Sequence, residues 1–237
     1  MTDKVPGWTT LAEDPLVLVK EYGFGPGRAN ALAIALPEGK WMIMSPSPQL
    51  GDDEVEAFTK LGGVAALVEN NGVHHLGLGP WRARFKDAVS YAAPRAAARI
   101  RKKGKDFGQL EPTEQLQPRL GGKIALIPID GDKLGDVCLR VQTDRGTLFY
   151  AGDFIANIQT LPSNLLFRLV FKLTDSGPGL KVFGAFFRFF VKNRQAARAC
   201  LIDELQKHPP TILVPAHGDV VSKPDLAPTL IGMLRSA

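Results

Sequence analysis

Short apolar runs, broken by glycine and proline, dominate the first third of the chain. PLVLVKEY (15–22), ANALAIAL (29–36) and KWMIMSPS (40–47) are rich in β-branched or large apolar residues and are bounded by Gly or Pro. That punctuation predicts a meander of antiparallel strands. In DDEVEAFTKLGG (52–63) the period changes: Val55, Phe58 and Leu61 recur every three residues before a Gly pair, which predicts a helix. VAALVEN (64–70) reads as a buried strand, AVSYAAP (88–94) as another, and APRAAARIRKKG (93–104) as a short basic helix. The polar stretch from Lys105 to Gly122, with two prolines, is predicted to be a loop or crossover between two halves.

The second half repeats the order. KIALIPI (123–129), DVCLRVQT (136–143) and TLFYAGDF (147–154) predict strands, the last two joined by a turn at Asp144-Arg145-Gly146. SNLLFRLVFKL (163–173) and LKVFGAFFRFFVKN (180–193) predict two helices split at Ser176-Gly177-Pro178-Gly179. NRQAARACLIDELQKHPP (193–210) predicts a third helix, with Ala197, Leu201 and Leu205 four residues apart. TILVPAH (211–217) predicts a strand and PDLAPTLIGMLRSA (224–237) a closing helix. No short tandem repeat is present. Two β-then-α halves, about 1–104 and 123–237, predict a single α+β domain: two sheets face to face, with helices outside.

Composition narrows this picture only slightly. A chain of 237 residues, 45% hydrophobic and 22% charged, can bury a sizeable core. A net charge of +5 favours approach to anionic partners but selects none. No compact Lys/Arg run with interleaved aromatics appears, so nucleic acid is not an expected partner. Cys138 and Cys200 form neither a disulfide framework nor a CxxC pair, and read as small buried apolar residues. The N-terminal stretch shows no basic region followed by an apolar one, so no signal peptide is expected. The longest apolar stretch, Leu165 to Phe190, is broken by Arg168, Lys172, Asp175, Lys181 and Arg188, which excludes an ordinary transmembrane helix. A cytoplasmic location is the resulting expectation.

The chemistry-bearing residues cluster at predicted strand ends. His74 and His75, two of four histidines, follow VAALVEN; Asp153 follows LFYAG; His217 follows ILVPA. Strand ends that deliver imidazoles and carboxylates onto loops can build a rigid cation site. Taken singly, an Asp after Gly is as readily a turn or cap.

Taken together and in this order, the segments resemble the metallo-β-lactamase-like hydrolase superfamily. LVENNGVHHLG stands where the family has HxHxDH, IDGDKLGDV where it has a GH-containing turn, and LFYAGD and ILVPAHGD match its last two motifs. NALAIALPEGKWMIMSPS resembles its opening strands, with SPS in place of the usual acidic turn, and ARACLIDELQKHPP its late helix. The resemblance implies a four-layer αβ/βα sandwich. It also implies one reduced metal site. The family's first ligand set falls on Asn70, Gly72 and Asp132, a poor set for zinc. Its second falls on His74, His75, Asp153 and His217, all able to coordinate one Zn²⁺ or Fe²⁺ ion. The resemblance makes Asp153 a candidate to orient a nucleophilic water and Asp132 a candidate to hydrogen-bond the water or a ligand.

One segment stands outside the motifs. Seven of the 13 phenylalanines fall between Phe167 and Phe190, inside an insertion of about 163–192. It reads as a hairpin on the sheet, a pocket wall or lid, a homo-oligomer interface, or a membrane contact. Phe183, Phe186, Phe187 and Phe190 share one helical face, which favours packing against protein over membrane. The leading functional expectation is a mononuclear metal-dependent hydrolase of a small ester or thioester. The alternative is a metal-free member acting as a small-ligand-binding or interaction protein.

Overall fold

The computed structural model describes residues 4–25, 27–103 and 107–237. The first residues of the N-terminal stretch and the first two of the 105–122 crossover lie outside that range.

A meander opens the chain: β1 (Thr9–Glu13), β2 (Leu16–Phe24), β3 (Gly27–Ala35) and β4 (Trp41–Met44), each antiparallel to the next. After α1 (Asp52–Lys60) the sheet continues in parallel with β5 (Val64–Glu69). After α2 (Leu78–Arg84) it ends in β6 (Val89–Ala92), which is followed by α3 (Pro94–Arg101). β5 is buried at every residue: the apolar run Val64–Val68 fits a strand covered on both faces, and the terminal Glu69 is buried with it. The crossover from residue 107 adds to this sheet's edge. Glu111 bridges Tyr91, while Leu110, Leu116 and Leu120 are buried beneath it.

The second sheet has the order β13-β12-β9-β8-β7. β7 (Ile124–Pro128), β8 (Val137–Thr143) and β9 (Gly146–Tyr150) form an antiparallel meander. β10 (Ile155–Ile158), α4 (Leu165–Leu173), β11 (Gly179–Val182), α5 (Gly184–Phe189) and α6 (Arg194–Lys207) follow. The chain then returns as β12 (Ile212–Val214) parallel to β9, adds β13 (Val221–Ser222) and closes with α7 (Leu226–Ser236).

Period-two alternation decides which core each side chain joins. Leu139, Val141, Leu148, Tyr150, Ile212 and Val214 point inward and share one cluster with the first sheet. Their neighbours Cys138, Phe149 and Leu213 point outward onto Leu201, Leu205, Leu230 and Leu234 of α6 and α7. On the far side, α1, α2 and α3 contribute Phe58, Trp81 and Ile100 to the inner cluster. Four layers result, α/β/β/α. One aromatic knot anchors the first outer layer. Trp8 and Trp41 each lie 5.4 Å from the Phe58 ring centre, and Trp81 lies 5.6 Å from it.

Two departures from the sequence reading bear on the candidate site. Residues 180–193 are not one helix: Gly179–Val182 pairs antiparallel with Ile155–Ile158, and only Gly184–Phe189 is helical. A short apolar run carries no helical period to separate it from a strand, and here a strand partner was available. The predicted strand over 147–154 ends at Tyr150, since Gly152 adopts φ +53° and turns the chain.

Candidate metal centre

Three loops from three strand ends meet at one end of the sandwich. Tyr150 of β9 lies opposite Val214 of β12, and Asp153 and His217 each follow three residues later, so both leave the second sheet at the same edge. His74 arrives from the loop after β5 of the first sheet.

The two sheets are clamped together at that point. Asn30 of β3 donates its side-chain amide to the carbonyls of Pro215 (2.9 Å) and Gly218 (2.7 Å), and its own N–H to Ala216. Asn157 holds the other side of the same loop, donating its N–H to His217 O and its side-chain amide to Asp219 O. Gly218 passes so close to the Asn157 carbonyl, with φ +96°, that no side chain fits there. His217 is therefore fixed by backbone contacts on both flanks.

Asp153 Oδ1 lies 3.3 Å from His74 Nε2 and 3.1 Å from His217 Nε2. One donor atom from each of the three residues lies within 4.8 Å of the others, and all three side chains are largely buried. Oδ1 itself is buried with no hydrogen-bond donor aligned on it. The outer nitrogens are already committed. His217 Nδ1 is 2.7 Å from the Arg28 carbonyl, which can only accept, so Nδ1 carries the proton. In the neutral ring Nε2 then presents its lone pair to the carboxylate, the tautomer a metal ligand needs. His74 Nδ1 lies 3.1 Å from the Ser45 hydroxyl. Electron-rich atoms converge on one point that a proton or a cation must occupy.

Electrostatics agree with the geometry. Burial opposes ionisation of Asp153, yet the flanking His74 and His217 rings outweigh it and hold the carboxyl far below the usual range. Burial likewise opposes charge on His217, and the Asp153 carboxylate facing its Nε2 overcomes that, raising the imidazole above its ordinary value. Asp136 goes the other way: burial, then Asp153 and Asp132, push its carboxyl well up. Asn71 bridges the two acids. Its amide donates to Asp153 Oδ2 (2.8 Å) and Asp136 Oδ1 (2.9 Å), while its Oδ1 accepts from the N–H groups of Val73 and His74. One side chain thus orients both the carboxylate and the histidine loop.

The structure brings together three of the four predicted ligands and places His75 outside the group. Residues 74 and 75 occupy a non-helical link between two turns, where neighbouring side chains diverge. His75 packs against the Phe107 ring, 5.5 Å between centres. Asp132 is also placed elsewhere. Its Oδ1 accepts from the backbone N–H groups of Leu134, Gly135 and Asp136, so it caps its own turn. Asn70 is buried, and a Cβ at Gly72 would meet the Arg99 side chain at 2.7 Å. Among the described residues, no second ligand group forms around Asn70, Gly72 and Asp132. Sequence reasoning missed Ser45 and Asn71. Ser45, just after β4, sits at φ +54°, a backbone state uncommon for a residue other than glycine.

A cavity of about 480 Å³ opens directly over the cluster. His74, Asp153 and His217 form its floor with Tyr22. Its walls are apolar, chiefly Phe171, Phe183, Phe186 and Phe190 from the insertion, with Phe167 and Val170 of α4 also lining it. The Phe183 ring packs edge-on to His217 at 5.9 Å.

No protein-family model matches the chain, and no curated protein matches it. Solved structures do. VMB-1 superposes with a TM-score of 0.63 at 11% identity, covering 99% of this chain and 98% of its own. DIM-1 metallo-β-lactamase gives 0.63 at 11% identity, covering 98% and 99%. The metallo-β-lactamase from Erythrobacter litoralis gives 0.60 at 13%, covering 97% and 96%. Near-complete coverage in both directions leaves no layer of the sandwich unmatched: this chain has the metallo-β-lactamase fold.

Proposed function

We propose that the chain is a mononuclear metal-dependent hydrolase of an ester or thioester. The observation that carries this reading is Asp153 Oδ1, buried without an aligned donor between two imidazole nitrogens at the floor of a cavity. Two imidazoles and one carboxylate are the donor set of open zinc sites and of non-haem iron(II) sites. His74, Asp153 and His217 would hold the ion; its bound form supplies Lewis acidity toward a carbonyl and lowers the pKa of water.

The remaining roles belong to the chain itself. Asn71 and Ser45 hold Asp153 and His74 in place, and the Arg28 carbonyl fixes the His217 tautomer. The phenylalanine walls exclude bulk water and strengthen each charge interaction at the floor. Asp153 is the acidic residue among those lining the cavity, and the flanking imidazoles keep it ionised.

Turnover of short-chain esters and thioesters tests the reading. Activity should vanish with a chelator, return with added zinc or iron(II), and be absent in Asp153→Asn under both conditions. Turnover that survives chelation unchanged would overturn it. The filled position at Gly72 and the missing second ligand group favour one further reading, a metal-free ligand-binding protein built on the same cleft.

A further inference from the structure

The helix that closes the cavity is itself uncovered. No residue of α4 is buried, although seven of its nine residues are apolar. Leu165 is 80% exposed, Leu169 53% and Leu173 77%. These three lie four residues apart on one outward stripe, while Phe167, Val170 and Phe171 line the cavity. The helix is well formed all the same, because the Asn164 side chain caps the N–H groups of Leu166 and Phe167. Phe189, 51% exposed, and Leu76, 46% exposed, extend the apolar surface across the cavity mouth. An exposed apolar patch of this kind marks an interaction surface.

Charge identifies its partner. Between Leu161 and Arg194 stand Arg168, Lys172, Lys181, Arg188, Lys192 and Arg194 against one acid, Asp175. That surplus of five equals the net charge of the whole chain. Arg168 and Lys172 are exposed on α4 itself, beside the leucine stripe, and Lys181 is the cation that Asp175 pairs. A two-fold contact between copies would set this surplus against itself, so a second copy does not fit. An apolar stripe flanked by cations fits an anionic lipid surface.

The walls of the cavity under α4 are apolar, and the polar side chains that line it are Tyr22 and the clustered His74, Asp153 and His217. A ligand with a long apolar tail and one carbonyl head matches that division.

We propose that α4 seats the cavity mouth on an anionic lipid surface, and that the cavity takes up an acyl chain from it. The membrane contact runs through the leucines of α4, whereas of the four phenylalanines read as one helical face only Phe186 and Phe187 lie in α5 and are buried, packed on Phe154. The ester identity of the head rests on the hydrolase reading; chain uptake and surface docking do not.

The test uses the full-length protein stripped of metal by chelation, so a failure of the hydrolase reading cannot mimic a failure here. Co-sedimentation is measured with phosphatidylglycerol-containing vesicles and with pure phosphatidylcholine vesicles. Displacement of a fluorescent fatty acid reads the cavity. Binding to anionic vesicles should exceed binding to neutral ones by about tenfold or more and should weaken with salt. Leu165→Asp/Leu169→Asp should lose vesicle binding yet still bind the monomeric fatty acid, since neither residue lines the cavity. Val170→Trp, which fills the cavity, should lose the fatty acid and keep the vesicles. Unchanged circular dichroism in both variants shows that they fold. Equal binding to neutral and anionic vesicles, vesicle binding insensitive to the leucine pair, or no fatty-acid binding by the wild type would each overturn the proposal.

Discussion

His217 Nε2 stands 3.1 Å from Asp153 Oδ1, while the opposite nitrogen of the same ring donates its N–H to the Arg28 carbonyl. A carboxylate and an imidazole lone pair face each other in a buried site. In the metal-free protein a second proton on the ring resolves the contact, which is why His217 titrates above its ordinary value. A metal ion resolves it equally well and must displace that proton. Metal and proton therefore compete for one position.

The competition fixes the pH dependence. His217, raised in the fold, gives the apo protein stability that is full below its unfolded value of about 6.5 and is lost as pH rises through the folded value. Asp153, depressed in the fold, gives stability that is present above about 3.9 and is lost as pH falls through its folded value. Metal-free protein thus draws on both groups between those limits. Metal-dependent stabilisation must grow in the other direction. At fixed zinc, the rise in melting temperature should be larger at pH 8 than at pH 6. A thermal-shift series across this range checks it, and a shift that shrinks with rising pH contradicts it.

Asn71 should matter without touching the ion. It restrains Asp153 Oδ2 and the His74 N–H at once, so Asn71→Leu frees both ligand-bearing loops. Loss of such a support costs about 10–100-fold in metal affinity. Competition against a zinc indicator measures that loss. An affinity within about twofold of wild type would show that Asn71 is not a positioning residue.

Glu69 supplies an independent pH test. Its carboxyl is fully buried at the end of β5 with no hydrogen-bond partner among the described residues, and burial pushes its pKa well up. A raised carboxyl stabilises the fold below its unfolded value and loses that contribution as pH rises toward the folded one. Each pH unit in that window costs about 1.4 kcal/mol. Glu69→Gln should abolish this dependence, leaving the variant more stable relative to wild type at pH 8 than at pH 5. Urea denaturation at the two pH values compares them, and a constant difference would contradict the account.

Phe58 sits at the centre of all three tryptophans of the chain. Phe58→Ala opens a void there and should cost about 3–5 kcal/mol. Intrinsic fluorescence follows the unfolding transition from inside the affected cluster. A loss below about 1 kcal/mol would show that the knot collapses to fill the gap.

The sequence made the strand ends legible because their chemistry is local. LFYAGD and ILVPAHGD each join an apolar strand to a Gly-containing turn that carries a candidate ligand, and the structure sets them side by side through the pairing of β9 with β12. What it hid depends on contacts between distant residues. Ser45 and His74 are 29 residues apart, and Asn71 and Asp153 are 82 apart, with nothing in either neighbourhood to announce the other. The separation of His74 from His75 was equally silent, because adjacency fixes a side chain's direction only once the backbone is known to be helical or extended. The exposure of α4 could not be read either. Its apolar residues have the composition of a core helix, and they lie at the surface because no element among the described residues covers them.

The claim at the centre of this account is one metal ion held by His74, Asp153 and His217. It is tested most directly by inductively coupled plasma mass spectrometry on untagged protein, beside a His74→Ala/His217→Ala variant shown to fold by circular dichroism. The account predicts about one equivalent of zinc or iron per chain in the wild type and almost none in the variant. Metal-free wild-type protein, even after incubation with excess zinc or iron(II) followed by desalting, would contradict it.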